Sequence, residues 1–330
     1  MKAQFNPDID LISFQPAAFL AFRDMEVCKR VAKVSKEDLC ALPKGTHPGF
    51  TARIAPVKDF HFQMALDMLV RIRKALEEGK QFVGVFPTGP IFQYQMLADM
   101  VNALRIPLHH VHYFSMDEYA DEDGGDIDPR WPGSFHYTIE KHFISRLDPK
   151  LRIPESQIHY PSKTTINDYD DMIVEARKDP SARGADVVYG GTGLSGHYSF
   201  WDPHLAKEAG MSIEEWKKAT PRLISFHPIS TVQMAVTDMS GAWPFVPPKA
   251  YTTASTTMMN ADFRSWWNDG CGLTADGSYA GGIVWQKFIT RLVLHGPIVP
   301  EIPCSLLRTG PGDYVVIDPV ADDLKIELTA

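Results

Sequence analysis

Three short apolar runs in this chain each stop abruptly at a loop of unusual composition. Residues 81–86 (QFVGVF) end at Pro87-Thr88-Gly89-Pro90. Residues 109–115 (HHVHYFS) end at Met116-Asp117-Glu118-Tyr119. Residues 185–189 (ADVVY) run into Gly190-Gly191-Thr192-Gly193-Leu194-Ser195-Gly196-His197. Short apolar runs rich in β-branched and aromatic residues, bounded by Gly and Pro, read as buried strands. Between them, residues 61–80 place Phe62, Leu66, Leu69 and Leu76 at helical spacing, with Gly79 positioned to end the helix. Residues 91–104 and 135–144 also read as helices, and residues 222–226 and 313–318 as further strands. Strands alternating with helices imply right-handed crossovers. The expected fold is α/β: an open, mostly parallel sheet with helices on both faces, a Rossmann-like three-layer sandwich. Ligands of such sheets bind beyond the carboxyl ends of the strands, so the three loops are expected to converge on one edge.

Bulk properties remove several function classes. The net charge of −8, with Lys and Arg scattered among Asp and Glu, carries no basic stripe for nucleic acid. Cys28, Cys40, Cys271 and Cys304 lack the spacing of a zinc site and read as free thiols. Histidines 109, 110, 112, 136 and 142 read as strand and helix surface residues rather than as a metal site. No metal and no cofactor are expected. The N-terminus has early acids and no secretory pattern, and no run of about 20 apolar residues suits a membrane span. The cytoplasm is the expected location. Residues 1–49 read as an N-terminal extension, either packed on the main domain or loosely held, and residues 50–330 as that domain. Residues 243–282 are rich in Pro, Gly, Trp and Thr, and read as an irregular insertion or lid, most clearly at 260–282.

Each loop has a chemical and a bland reading. A Gly between strand and helix lets backbone N–H groups face a phosphate, with the Thr88 hydroxyl as a further donor. The alternative there is a tight turn, and no Walker Lys-Ser/Thr follows. Asp117 and Glu118 cannot both be buried and charged cheaply, so one of them suits a general base of raised pKa. The alternative is an acidic loop continuing through Asp123. In the glycine-rich loop, His197 with Asp202 suits a carboxylate-oriented acid/base pair. Gly191 to Gly196 also matches the dinucleotide pattern G-x-G-x-x-G, but without an acidic ribose partner about 20 residues on. Ser195 lies too near His197 in sequence for a hydrolase nucleophile.

The three loops, in this order, resemble those of the glucosamine-6-phosphate deaminase/isomerase family, a group related to 6-phosphogluconolactonase and ribose-5-phosphate isomerase. The resemblance covers residues 50–320 and includes Pro248-Lys249-Ala250-Tyr251-Thr252, Gln286-Lys287 and Gly296-Pro297-Ile298-Val299-Pro300. It implies that Asp117 is the enolising base, that His197 opens the sugar ring, and that Lys287 holds the sugar phosphate with Thr88 and Gly89. Glu118, Gly193 and Gly196 complete the expected substrate contacts. The chain departs from the family pattern at several places, and its phosphate loop has Pro90-Ile91 where the family has a second Gly and a following Thr. Ser195 stands where the family has a second acid. Asp202 replaces the longer Glu that orients the histidine. No arginine matches the phosphate clamp, for which Arg308 is the substitute. Arg222 matches the allosteric region, where an expected lysine is Ile224, so allosteric activation is not expected.

The resemblance implies an enzyme that isomerises an aldose phosphate by enolisation, with ammonia release where the sugar carries an amino group. A phosphogluconolactonase-like hydrolase is the alternative, and a catalytically impaired sugar-phosphate-binding protein the next. The expected partner is a small sugar phosphate, with no nucleic acid or membrane, in a chain that can form a homo-oligomer. Tyr198, Trp201 and Trp243 are candidates for an aromatic pocket or for core packing.

Overall fold

The computed structural model describes residues 9–270 and 284–326. Its strands are β1 (Phe50–Ala55), β2 (Phe82–Phe86), β3 (Val111–Ser115), β4 (Asp117–Ala120), β5 (Ile158–His159), β6 (Val187–Gly190), β7 (Arg222–Ser225), β8 (Lys249–Thr252), β9 (Phe263–Asn268) and β10 (Gly312–Ile317). Its helices are α1 (Met25–Ala32), α2 (Phe60–Glu77), α3 (Phe92–Leu104), α4 (Phe135–His142), α5 (Tyr169–Ala176), α6 (Pro203–Glu208), α7 (Ile213–Trp216), α8 (Pro228–Thr237), α9 (Ser255–Asn260), α10 (Lys287–His295) and α11 (Asp318–Ala321). No helix among the described residues is long and apolar enough to cross a membrane.

Seven strands form one sheet in the order β1-β10-β9-β6-β2-β3-β5, and every pairing in it is parallel. The α/β fold read from the sequence is therefore the fold observed. The central strands β2 and β3 are buried along their whole length, which is why their sequences run apolar without alternation. The Phe86 ring lies stacked between Tyr113 at 4.9 Å and Tyr189 at 5.5 Å. Gly84 makes room for it, since a Cβ there would sit 2.5 Å from the ring.

Three expectations change. The helix over 61–80 is α2, but Phe62 and Leu66 face solvent; the buried stripe is Phe60, Met64, Met68, Leu69 and Ile72. The tetrapeptide Met116-Asp117-Glu118-Tyr119 does not merely end a strand. It builds β4, which pairs antiparallel with β8, and β8 in turn pairs with β7 in a separate small sheet. Residues 263–268, expected within an irregular insertion, form β9 between β10 and β6, with Trp266 and Trp267 in the core. Proline- and glycine-rich flanks hide this strand in the sequence. Residues 271–283 of that expected insertion lie outside the described residues.

The segment before β1 is tied to the body. Arg30 donates to the His295 carbonyl at 3.1 Å, and Arg291 of α10 donates to the Val34 carbonyl at 2.8 Å. The histidines read as surface groups include two buried ones. His110 is 4% exposed and bonds the Ile72 carbonyl at 2.9 Å, and His112 bonds Gln81 at 3.2 Å.

Candidate active site

A cavity of about 670 Å³ opens at the carboxyl ends of four adjacent strands. Its wall takes Asp269 and Gly270 from beyond β9, Gly191 to Gly193 from beyond β6, residues 87–90 from beyond β2, and Met116 and Asp117 from beyond β3. The parallel order of these strands brings four segments distant in sequence to one place.

Asp117 sits opposite Thr252 in the β4–β8 pairing. Its Oδ1 accepts from the Thr252 hydroxyl, and from the Phe200 N–H at 3.2 Å. Burial dominates and pushes the carboxyl up to about 8, against the lowering pull of those two donors; the charge of Glu118 adds to the rise. A carboxyl so placed is a poised proton acceptor near neutral pH.

Glu118 does not line the cavity. Strand alternation sends its side chain away from that of Asp117, to the start of α4. There it accepts from Phe135 N–H at 3.1 Å and His136 N–H at 2.8 Å, besides its neighbour Tyr119 at 2.9 Å. Burial raises its pKa despite these three donors. The expected substrate contact is instead an anchor between β4 and α4.

His197 lines the cavity, 4% exposed. Its Nδ1 lies 3.2 Å from Asp202 Oδ1, 3.0 Å from Ser195 Oγ and 3.1 Å from Ser230 Oγ. Both hydroxyls donate to Asp202 Oδ1, each at 2.7 Å. Burial would raise Asp202, but hydrogen bonding and charge from His197, together with Ser230 and Ser195, outweigh it and hold the carboxyl below its ordinary value. With Asp202 ionised, this network engages Nδ1 as the donor toward the carboxylate, and none of its bonds uses Nε2. Nε2 reaches over Gly193, where a Cβ would come within 2.0 Å. Ser195 thus supports Asp202 from behind the histidine.

Thr88, Gly89 and Gly193 also line the cavity, whereas Gly196 does not. Gly196 turns the loop at φ +88°, and its N–H closes onto the Gly193 carbonyl at 2.9 Å. The two expected phosphate cations are elsewhere. Lys287 opens α10, and its Nζ donates to the Asp323 carbonyl at 3.3 Å. The neighbouring Gln286 lines the cavity instead, bridging the Thr192 carbonyl at 2.6 Å and the Gly270 N–H at 2.7 Å. Successive helical residues point about 100° apart, so one position decides which side chain faces the ligand. Arg308 is 2% exposed and spends its Nη2 on the Gly296 carbonyl at 2.6 Å, and burial lowers its pKa to about 10. Tyr198 and Trp201 are core, and Trp243 is 68% exposed; the aromatic lining is Phe92, Phe135, Tyr137, Phe200, Trp267 and Trp285.

Sequence reasoning missed Thr252, Ser230, His61, Lys141 and Gln286. Thr252 and Gln286 lay within motifs already singled out, but which residue of each faces inward was not visible. Ser230 sits 33 positions beyond His197, on α8, with no local signal.

No protein-family model matches the chain. The chain is 31% identical over 276 residues to a glucosamine-6-phosphate deaminase of Porphyromonas gingivalis, across 79% of this chain and 95% of that protein. It is 26% identical over 196 residues to the glucosamine-6-phosphate deaminase of Caenorhabditis elegans, across 59% and 66%. The match to the Dictyostelium discoideum enzyme of the same name is 29% over 128 residues, 45% of that protein. The chain thus spans less than two thirds of these last two relatives. A solved monomeric glucosamine-6-phosphate deaminase superposes with a TM-score of 0.63 at 18% identity, over 82% of this chain and 98% of that one. A 6-phosphogluconolactonase from Leishmania guyanensis gives 0.57 at 14%, over 83% and 98%. At such identities these two structures share the fold.

Proposed function

This chain belongs to the glucosamine-6-phosphate deaminase family, and on that premise we propose that it isomerises an aldose phosphate by enolisation, releasing ammonia when the sugar carries a C2 amino group. One observation carries the reading. Asp117, raised to about 8 by its burial, shares a cavity with a histidine whose Nδ1 is engaged and whose Nε2 is free. In this reading His197 Nε2 takes the proton of the ring hydroxyl and returns it to the ring oxygen, opening the sugar. Asp117 then removes the proton from C2 and delivers it to C1 on the same face, through a cis-enolamine. The ketimine left at C2 takes up water and loses ammonia, giving fructose 6-phosphate.

The replacement of the family's second acid by Ser195 leaves ring opening to His197 and Asp202. The proposal is tested by incubating the full chain with glucosamine 6-phosphate and following ammonia and fructose 6-phosphate. Both products should appear with the native chain, and the His197→Gln variant should be slowed more on the cyclic substrate than Asp117-dependent exchange on an open-chain one. Release of neither product would contradict the deaminase reading.

A further inference from the structure

One buried residue in the cavity wall holds a backbone conformation that residues with a Cβ avoid. Among the described non-glycine residues with positive φ, Arg105, Lys178 and Ser240 are exposed, whereas Ser199, at φ +49°, is 6% exposed and lines the cavity. In that region Cβ crowds the following carbonyl oxygen, so the conformation persists only where surrounding contacts over-determine it.

The contacts around Ser199 show what its geometry sets. The Trp201 N–H closes onto the Tyr198 carbonyl at 2.9 Å, which makes Ser199 and Phe200 the central pair of a tight turn. A positive φ at the first central position belongs to the turns that favour Gly, Asn or Asp. Both ends of the turn are fixed, since Tyr198 and Trp201 are fully buried and the Tyr198 hydroxyl lies 2.6 Å from Ser255 Oγ. His197 stands just before the turn and Asp202 just after it, and the reversal brings Nδ1 to 3.2 Å from Oδ1. At the apex the Phe200 N–H donates to Asp117 Oδ1 at 3.2 Å and to Thr252 Oγ1 at 2.9 Å. The Ser199 hydroxyl lies 2.6 Å from Thr253 Oγ1, one residue beyond the Thr252 that donates to Asp117. Thr253 is itself held by its N–H on the Met116 carbonyl at 3.1 Å.

We propose that Ser199 is a positioning residue for both proton-transfer groups: its bond to Thr253 holds the turn in the left-handed form, which aims the Phe200 N–H at Asp117 and brings Asp202 behind His197. The roles of Asp117 and His197 rest on the function proposed above; the turn itself does not. Glycine adopts the same φ without the Cβ penalty, so it separates the conformation from the chemistry of the hydroxyl.

The test compares Ser199→Ala, which loses the hydroxyl and keeps the Cβ penalty, with Ser199→Gly, which loses both. Turnover of glucosamine 6-phosphate by the full chain and each variant is followed from pH 6 to 10, with folding checked by circular dichroism. Ser199→Ala should lower kcat about tenfold at unchanged KM, the population cost of a left-handed residue without its anchor. Its kcat/KM midpoint should move to higher pH, because the Phe200 N–H is one of two donors that lower the pKa of Asp117. The ionisable neighbours of Asp117, namely Glu118 and Tyr119 on β4 and Tyr169 on α5, are untouched by these variants. Ser199→Gly should recover kcat to within about threefold of the native chain, with the native midpoint. If Ser199→Ala fails to fold, Thr253→Val removes the same bond from the other side, and Thr253→Ser should restore what it loses. Alanine and glycine variants equally slow, or both with a raised KM, would put the hydroxyl on the substrate and overturn the positioning role. Two variants at the native rate and midpoint overturn it as well. If the native chain turns over no sugar phosphate, the carboxyl ¹³C resonance of Asp117, identified by its loss in Asp117→Asn, reads the turn directly. A titration raised in Ser199→Ala and native in Ser199→Gly then keeps the turn while the enolisation reading falls. The same titration in all three chains sinks the turn.

Discussion

Replacing Glu118 with alanine separates two carboxylates that stand side by side in sequence and do different work. The Glu118 carboxylate takes the Phe135 and His136 N–H groups at the start of α4, 17 and 18 residues away. A hydrogen bond to a charged group contributes about 1.5–3 kcal/mol, so the two together are worth about 3–6 kcal/mol before desolvation. Burial raises the pKa of Glu118, so desolvation offsets part of that sum. Halving it leaves a loss of about 1.5–3 kcal/mol for Glu118→Ala, and about 1 kcal/mol for Glu118→Gln, which keeps one acceptor oxygen. Urea unfolding followed by far-UV circular dichroism measures both, read as a lower midpoint at unchanged slope. The glutamine variant should keep the native KM. It should also lower the pKa of Asp117, because the charge of Glu118 contributes to raising it. A Glu118→Ala protein that unfolds at the native midpoint while its KM climbs would refute the reasoning, and would return Glu118 to the substrate.

Asp117 works as a base only when ionised, so kcat/KM should climb as pH rises through about 8, its value in the folded chain. Thr252→Val removes a hydroxyl that holds this carboxyl down, so the midpoint should move to higher pH; a stopped assay from pH 6 to 10 reads it, and an unmoved midpoint counts against Asp117 as the titrating group. Lys287→Ala should leave KM for the sugar phosphate within about twofold, since the Nζ points to the Asp323 carbonyl rather than to the ligand. A rise of tenfold or more would put Lys287 back in the site.

The loops that line the cavity were legible in the sequence because each follows a short apolar strand bounded by Gly, Pro or acidic residues. Parallel pairing of β6, β2 and β3 then places those loops together without further information. What the sequence withheld was direction. Asp117 and Glu118 are adjacent, yet strand alternation sends one into the cavity and the other to α4. Gln286 and Lys287 are adjacent, yet the start of α10 turns only the glutamine inward. Strand β9 escaped notice for a different reason. Its three apolar residues, Phe263, Trp266 and Trp267, are interleaved with polar ones spent inside, among them Arg264 on the Met258 carbonyl at 2.7 Å and Asn268 on the Thr192 N–H at 2.9 Å. Those partners belong to other elements, so no local pattern announces a buried strand. His61 was hidden the same way, lying in a helix whose buried face the sequence reading had rotated toward Phe62 and Leu66.

The most direct test of the central claim is to hold the chain with glucosamine 6-phosphate in D₂O and follow deuterium at C1 of the product and C2 of the recovered substrate, for the native chain and Asp117→Asn. The account predicts deuterium incorporation by the native chain and none above background for the variant, with both proteins folded. Incorporation that survives in Asp117→Asn, or ammonia release by the native chain without any incorporation, would contradict the assignment of Asp117 as the base that moves the proton.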